Sequence, residues 1–354
     1  MTDTKIFTHT PPPFHSGAGC SLGRTQDRKC VTASTLIALK DFFCLTMGQK
    51  LSCCQNNKAT ESTTTPTTTT TLKTVTTPPK MSSSLKPYIQ TLIDGNRDLT
   101  STETEEAFNI ILSGADPIQV SALLTLLRAK NETPAEIAGM VRAMNSACNA
   151  VHIPDTKLLD IVGTGGDGAD TINISTASVV LAAACGCTVA KAGNRSVSSA
   201  CGSADVLESL GVKVDLVPEQ VVQCVEQCGV AFMFAPVNHP AMRHVAPVRK
   251  ALGVRTCFNV IGPMINAAGA QRAVIGVFHE ELVELMAGAL KEVGRVDHAV
   301  VIHGVGLDEI SPMGPATILE VSEHWDTYFL PLGEERSAKL QVVCDSSKCY
   351  NPLD

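Results

Sequence analysis

Asp160-Ile161-Val162-Gly163-Thr164-Gly165-Gly166-Asp167-Gly168 is a short apolar run that breaks into a glycine-dense loop. The next residues, Asp170-Thr171-Ile172-Asn173-Ile174-Ser175-Thr176-Ala177, restart as an Ala- and Val-rich helix with hydroxyls clustered at its beginning. Strand, glycine loop and helix in that order form an anion seat. Glycine lets backbone N–H groups approach an anion closely, and the helix start adds the positive end of a dipole. Thr171, Ser175 and Thr176 can donate to phosphate oxygens or accept from a metal-bound water. An ordinary strand-to-helix turn with an N-cap would account for the same residues taken alone, so the neighbouring segments carry the decision.

Downstream of Pro154, short apolar runs at 158–162, 188–191, 213–216, 230–234, 273–277 and 299–303 alternate with helix-length segments. The alternation predicts an α/β architecture with a mostly parallel central sheet. Ligands collect at the carboxyl ends of strands in such sheets, so the loops after Val162, Lys191 and Ile302 share one rim. The second of these, Lys191-Ala192-Gly193-Asn194-Arg195-Ser196-Val197-Ser198-Ser199, packs two cations, a glycine and three hydroxyls directly after a strand. It suits a polyanion: Lys191 and Arg195 can neutralise phosphate, and Ser198, Ser199 and Ser203 can hydrogen-bond it. The third, Gly304-Val305-Gly306-Leu307-Asp308-Glu309, offers paired carboxylates where a polyphosphate would need magnesium. Adjacent acids are also often simply solvated. The stretch from His239 to Lys250 is cation-bearing and helical, and could clamp a carboxylate.

Ahead of this region, from Leu85, helix-start signals repeat. Thr102 with Glu105 reads as a capping box, Asp116-Pro117 places a cap before a first-turn proline, and Thr133-Pro134-Ala135-Glu136 combines both devices. Ile118, Ala122, Leu123, Leu126 and Leu127, then Ile137, Val141 and Met144, recur at helical spacing and predict the core of a small helical domain over 85–153, with the α/β domain over 154–354. Residues 1–84 differ: a Pro11-Pro12-Pro13 run, a threonine tract at 63–71 and an excess of Lys and Arg over Asp and Glu predict a disordered low-complexity leader. Such a Ser/Thr-rich, acid-poor segment fits an organelle transit peptide, hence a plastid, or equally an extension ahead of a true start at Met81 in a cytoplasmic protein.

Across all 354 residues, 44% are hydrophobic and the formal net charge is −7. That balance suits a globular protein with ample core and gives no electrostatic footprint for nucleic acid. No apolar run is long enough for a transmembrane helix. The 14 cysteines are scattered without zinc-type pairing and read as reduced thiols.

Taken together, Gly163 to Asp167, Asn173 to Thr176, Lys191 to Ser199, Gly202-Ser203-Ala204-Asp205-Val206-Leu207-Glu208, His239-Pro240 with Val248-Arg249, Asn259-Val260-Ile261-Gly262-Pro263 and Leu307-Asp308-Glu309-Ile310-Ser311 resemble the anthranilate phosphoribosyltransferases, motif by motif and in order, over about 85–319. The resemblance implies transfer of phosphoribose from phosphoribosyl diphosphate to the amine of anthranilate in tryptophan biosynthesis, with magnesium. It also implies a homodimer through the helical domain and small-molecule substrates rather than nucleic acid or membrane. Carried over by motif, Gly163, Asn194 and Arg249 would touch anthranilate. Gly163, Gly166, Asp167, Thr171, Asn173, Ile174, Ser175, Thr176, Lys191, Ala192, Gly193, Asn194, Arg195, Ser196, Val197, Ser198, Ser199 and Ser203 would hold phosphoribosyl diphosphate. Ser175, Asp308 and Glu309 would hold magnesium. No side chain is implied as nucleophile or base; Lys191 and Arg195 would stabilise charge.

The sequence departs from the family at Ala192, commonly histidine, and at Ile265 and Ala267, more usually threonine and proline. The likeness fades after about residue 319, so the C-terminal part reads as truncated relative to the family. Two other readings accompany the enzyme: a degenerate relative that binds polyanions without catalysis, and a nucleoside phosphorylase. The phosphorylases share the fold but carry a different signature where this chain has Asn194 to Ser199.

Overall fold

The structure, a computed structural model, describes residues 84–322 other than 96, 155, 170, 197–200 and 312–313, together with the backbone of 326–330. The expected leader, apart from Ser84, and the expected phosphate contacts at Val197, Ser198 and Ser199 lie outside the described residues.

Among the described residues four helices come first: α1 (Lys86–Asp94), α2 (Ser101–Leu112), α3 (Pro117–Lys130) and α4 (Pro134–Ser146). Asp116 and Thr133 cap α3 and α4 as their sequences predict, Asp116 accepting from the Ile118 and Gln119 amides and Thr133 from that of Glu136. The cap of α2 is corrected: Thr100, not Thr102, closes the capping box, with Glu103. Thr100 is extended, as a cap must be, whereas Thr102 already lies inside the helix and Glu105 is engaged by Arg142 at 2.9 Å. The core stripe shifts as well. Leu123, Leu127, Ile137, Val141 and Met144 are buried as expected and Val120 and Leu124 join them, but Ile118 is 79% exposed. Its place in the first turn of α3 puts it beyond the stripe.

The described residues beyond them build one sheet in the order β3-β2-β1-β4-β5-β6-β7. β1 (Leu159–Gly163) lies inside it, parallel to β2 (Val189–Gly193) on one side and β4 (Arg272–Gly276) on the other. β3 (Val230–Phe234) and β5 (His298–His303) extend the parallel set, and β6 (Ala316–Val321) and β7 (Asp326–Leu330) continue it antiparallel. α5 (Ile174–Ala184) makes the crossover from β1 to β2 that parallel neighbours require. α6 (Ser203–Ser209) and α7 (Pro218–Cys228) lie between β2 and β3. The predicted strand at 213–216 does not form: the chain runs there as coil, and Val214 is buried against Ala204, Leu207 and Phe232 without backbone pairing. β3 already ends the sheet on that side. β6 and β7 lie beyond the strands that the sequence predicts.

Beyond β3 come α8 (Ala235–Asn238), α9 (Ala246–Leu252) and, between β4 and β5, α10 (Glu281–Val293). α10 packs against α4, and a single apolar cluster runs from Leu123, Leu127 and Met140 through Phe258, Met286 and Leu290 to Ile275 and Val301 of the sheet. Helical layer and sheet therefore share one core, which fixes the helices relative to the strand ends. Among the described residues no helix is long and apolar enough to cross a membrane.

Candidate active site

β1, β2, β4 and β5 run parallel, so their carboxyl ends form one rim. At the end of β1 the chain turns through Gly165, Gly166 and Gly168 with φ of +64°, +81° and +75°, a left-handed path that residues with side chains rarely take. Thr164 anchors the turn: its N–H donates to the Gly276 carbonyl (2.9 Å) and its hydroxyl accepts from the Phe278 N–H (3.1 Å). The Arg255 guanidinium donates to the Gly166 carbonyl and lies 4.1 Å from the centroid of the Phe278 ring.

Three acids converge at the glycine turn, one of them within it. Carboxylate oxygens of Asp167, Asp308 and Glu309 lie within 4.8 Å of one another, and the Gly165 N–H donates to Asp308 Oδ2 at 2.9 Å. Bare backbone at the strand ends admits them: a Cβ on Gly163 would lie 2.3 Å from Asp308 Oδ2, one on Gly276 1.8 Å from the Asp308 carbonyl oxygen, and one on Gly304 2.1 Å from that of Glu309. Burial, then the neighbouring Asp308, pushes Glu309 up to about 8, and burial raises Asp308 too. Glu309 Oε2 is buried without a hydrogen-bond partner. Converging carboxylates with an unpartnered buried oxygen are a donor set suited to a hard divalent cation. Asp167, which the motifs assign to the phosphate ligand, thus also stands among the acids.

Beneath the rim the charges are arranged differently from expectation. Lys191, predicted to meet phosphate at the rim, points inward and is only 2% exposed. Its ammonium donates to the Ile161 carbonyl (2.6 Å) and the Ser175 hydroxyl (3.2 Å). Burial lowers it to about 8, opposed by the charge of Asp160, which burial raises to about 6. Asp160 accepts from the Asn266 side chain (2.7 Å) and the Ala192 N–H (3.2 Å), and Asn266 also donates to the Ala190 carbonyl (2.9 Å). Above this buried knot Asn173 caps α5, accepting from the Thr176 N–H (3.0 Å) and the Ser175 hydroxyl (3.2 Å). Ser175 is therefore held between Lys191 and Asn173. Thr171 is exposed ahead of the helix, Ile174 is half-buried and Thr176 is buried.

At the end of β2, Gly193 is needed for space, since a Cβ would lie 2.5 Å from the Phe232 ring. The Asn194 carbonyl accepts from the Ala204 N–H (3.2 Å), and its side chain from the Arg195 N–H (2.8 Å). Arg195, expected to neutralise phosphate, is paired within the chain: it meets Glu208 at 2.7 Å and Asp205 at 3.5 Å, with Phe234 5.4 Å below. Asp205 Oδ2 accepts from the Ser196 and Gly202 amides, both at 2.9 Å, and so ties the two ends of the loop together. Ser203 is buried in the first turn of α6. On α9, Arg249 is half-buried with its guanidinium 5.5 Å from the Phe258 ring, and no carboxylate among the described residues pairs with it. Desolvation lowers its pKa.

Asp160, Asn266 and Arg255 are participants that sequence reasoning missed in these roles. Asp160 had one usable signal, an acid inside an apolar strand run; Asn266 and Arg255 had none.

Residues 86–148 match the helical bundle domain of the glycosyl transferase family and residues 155–331 its a/b domain, so the helical layer, the sheet and its rim define a protein of that class. Over 240 residues, 68% of this chain, the sequence is 51% identical to the anthranilate phosphoribosyltransferase of Methanosarcina acetivorans, and it spans 64% of that relative's length. The crystal structure of the Thermus thermophilus anthranilate phosphoribosyltransferase superposes with a TM-score of 0.64 at 45% identity, covering 69% of this chain and 72% of that one. The Saccharomyces cerevisiae enzyme, in complex with phosphoribosyl diphosphate and magnesium, superposes with a TM-score of 0.65 at 31% identity, covering 70% and 72%. The chain belongs to the anthranilate phosphoribosyltransferase family.

Proposed function

We propose that this chain transfers phosphoribose from phosphoribosyl diphosphate to the amine of anthranilate, releasing diphosphate, as a step of L-tryptophan biosynthesis. The observation that carries this reading is the convergence, on one rim, of a left-handed glycine turn with Asp167, Asp308 and Glu309. Membership of the family and the ligands of the yeast relative support it.

Breaking the bond between ribose C1 and diphosphate builds positive charge on the sugar and negative charge on the leaving group. The chain meets the leaving group with the N–H groups of Gly166 to Gly168 and the start of α5, those of Thr164 and Gly165 being spent on Gly276 and Asp308. Lys191 acts from below, its buried ammonium polarising the Ser175 hydroxyl. Asp308, Glu309 and Ser175 would hold magnesium with Asp167 beside them, and the unpartnered Glu309 Oε2 fits that assignment. When bound, the ion supplies neutralisation of the diphosphate charge. Gly163, Asn194 and Arg249 hold the acceptor, Arg249 facing its carboxylate. An aromatic amine is neutral at pH 7 and attacks without a strong base, so positioning and electrostatics suffice and no covalent intermediate forms on the protein.

A homodimer through the helical layer is part of the proposal. Ile93 on α1 and Ile118 on α3, 55% and 79% exposed, supply apolar surface for it.

The test is anthranilate fluorescence. It should fall when phosphoribosyl diphosphate and magnesium are added to the full chain, and persist when either is withheld. Persistent fluorescence with all components present, at a concentration where phosphoribosyl diphosphate binds, would overturn the reading.

A further inference from the structure

We infer that Arg255 is a positioning residue for the donor substrate: it locks the Gly166 peptide of the phosphate turn and ties that turn to the segment carrying Arg249. The inference rests on the proposed function for the identity of the ligand, but its geometry does not. Gly165 and Gly166 are successive left-handed glycines, and such peptides rotate easily because no side chain restrains them. A turn that is to gather N–H groups toward an anion has to keep its carbonyls pointing away. The Gly166 carbonyl is the one that Arg255 holds.

Phe278 makes the clamp two-sided. Its ring lies 4.1 Å from the guanidinium carbon of Arg255, while its N–H donates to the Thr164 hydroxyl at the other end of the turn. Both ends of the turn are therefore pinned to one shelf beyond β4. Arg255 is exposed, and no carboxylate among the described residues neutralises it. Sequence adds the coupling: Arg255 follows α9 by three residues, across Gly253 in the left-handed conformation, so the strip that presents Arg249 also presents Arg255.

The experiment uses the full chain with Arg255→Ala, Arg255→Lys and Phe278→Leu. Hydrogen exchange of the unliganded protein should quicken at the amides of 164–168 in Arg255→Ala and Phe278→Leu, with the thermal midpoint held. Titration with phosphoribosyl diphosphate and magnesium, anthranilate absent, should show affinity falling on the order of tenfold in Arg255→Ala, the usual size for one lost charge-assisted hydrogen bond. Steady-state kinetics should show the anthranilate KM within about twofold of the parent, since uniform loss at the donor site leaves acceptor binding alone. Arg255→Lys keeps the charge without the planar stack and should recover only part of the affinity. It also serves as the probe should Arg255→Ala not fold. Unchanged exchange together with unchanged affinity would overturn the inference, as would a rise in the anthranilate KM alone. Should the parent protein bind no phosphoribosyl diphosphate, the proposed function fails instead, and the exchange rates still decide whether the clamp exists.

Discussion

The carboxylate of Asp308 occupies the space in which a side chain on Gly163 would have to sit: a Cβ there would lie 2.3 Å from Oδ2. Gly163 pairs in register with Gly276, where a Cβ would lie 1.8 Å from the Asp308 carbonyl oxygen. The two glycines differ in what must yield. Gly163→Ala can be relieved by swinging the carboxylate away from the Gly165 N–H, so folding should survive. Apparent magnesium affinity should fall by roughly 10- to 100-fold, as when a ligand's orienting partners are lost. Gly276→Ala collides with backbone and should also destabilise by about 1–3 kcal/mol. Magnesium titrations of turnover beside thermal unfolding separate the two, and equal magnesium dependence in Gly163→Ala and parent would refute the packing argument.

Glu309 gives the acid cluster a pH signature. Its folded pKa of about 8 stands above the ordinary 4.5, so the folded protein binds this proton more tightly than the unfolded chain does. Without metal, its contribution to stability is full below about 4.5, falls as pH rises toward 8 and levels off beyond. Glu309→Gln should flatten that slope. Magnesium binding near pH 7 should release protons, because the ligand form is the carboxylate. Calorimetry in two buffers of different ionisation enthalpy measures the release, and a buffer-independent heat would contradict it.

The buried pair under β1 and β2 makes a separate prediction. Asp160, raised to about 6, loses stability for the protein as pH climbs from about 4 to 6; Lys191, lowered to about 8, restores it between about 8 and 10.5, where the unfolded chain holds the extra proton. Between those limits both are charged and each offsets the other's desolvation. Lys191→Met alone strands a buried carboxylate and should cost about 3–5 kcal/mol at pH 7. The double variant Asp160→Asn with Lys191→Met should recover most of that loss and lose the pH dependence. Urea unfolding at pH 7 and 9 checks it; single and double variants of equal stability would show that the two charges are not coupled.

What the sequence made legible was whatever a local pattern encodes. β3 was readable to the residue, because Val230–Phe234 is an unbroken apolar run between a helix end and a proline. The glycine turn and the caps Asp116 and Thr133 were readable for the same reason. The run 213–216 failed because alternation is necessary for a strand but a partner edge is needed as well, and among the described residues β3 pairs only with β2. At the site, sequence names charges but not which way they face. Lys191 and Arg195 look alike in a basic loop, yet one turns inward to the Ile161 carbonyl and the Ser175 hydroxyl, within the field of an acid 31 positions back, and the other pairs with Glu208 on the next helix. Arg255 has no local signature at all, since its partners Gly166 and Phe278 come from two other strand ends.

Arg249 is the sharpest probe of the acceptor side. Its guanidinium is half-buried against Phe258, lacks a carboxylate among the described residues and is held below its ordinary pKa by desolvation, so it is a cation with its counter-charge still to come. A buried unpaired charge is unfavourable, and an acceptor that brings a carboxylate relieves it on binding. Arg249→Ala should therefore raise the anthranilate KM by about 10- to 100-fold, the worth of a charged hydrogen-bonded contact, with little change in kcat at saturation. The free variant should unfold no earlier than the parent, because an uncompensated charge has been removed. Arg249→Lys should restore only part of the affinity, since an ammonium cannot make the two parallel bonds of a planar fork. Fluorescence-based kinetics with anthranilate varied at saturating phosphoribosyl diphosphate measures all three. If Arg249→Ala lowered kcat while leaving the anthranilate KM unchanged, Arg249 would belong to the leaving-group side of the reaction instead.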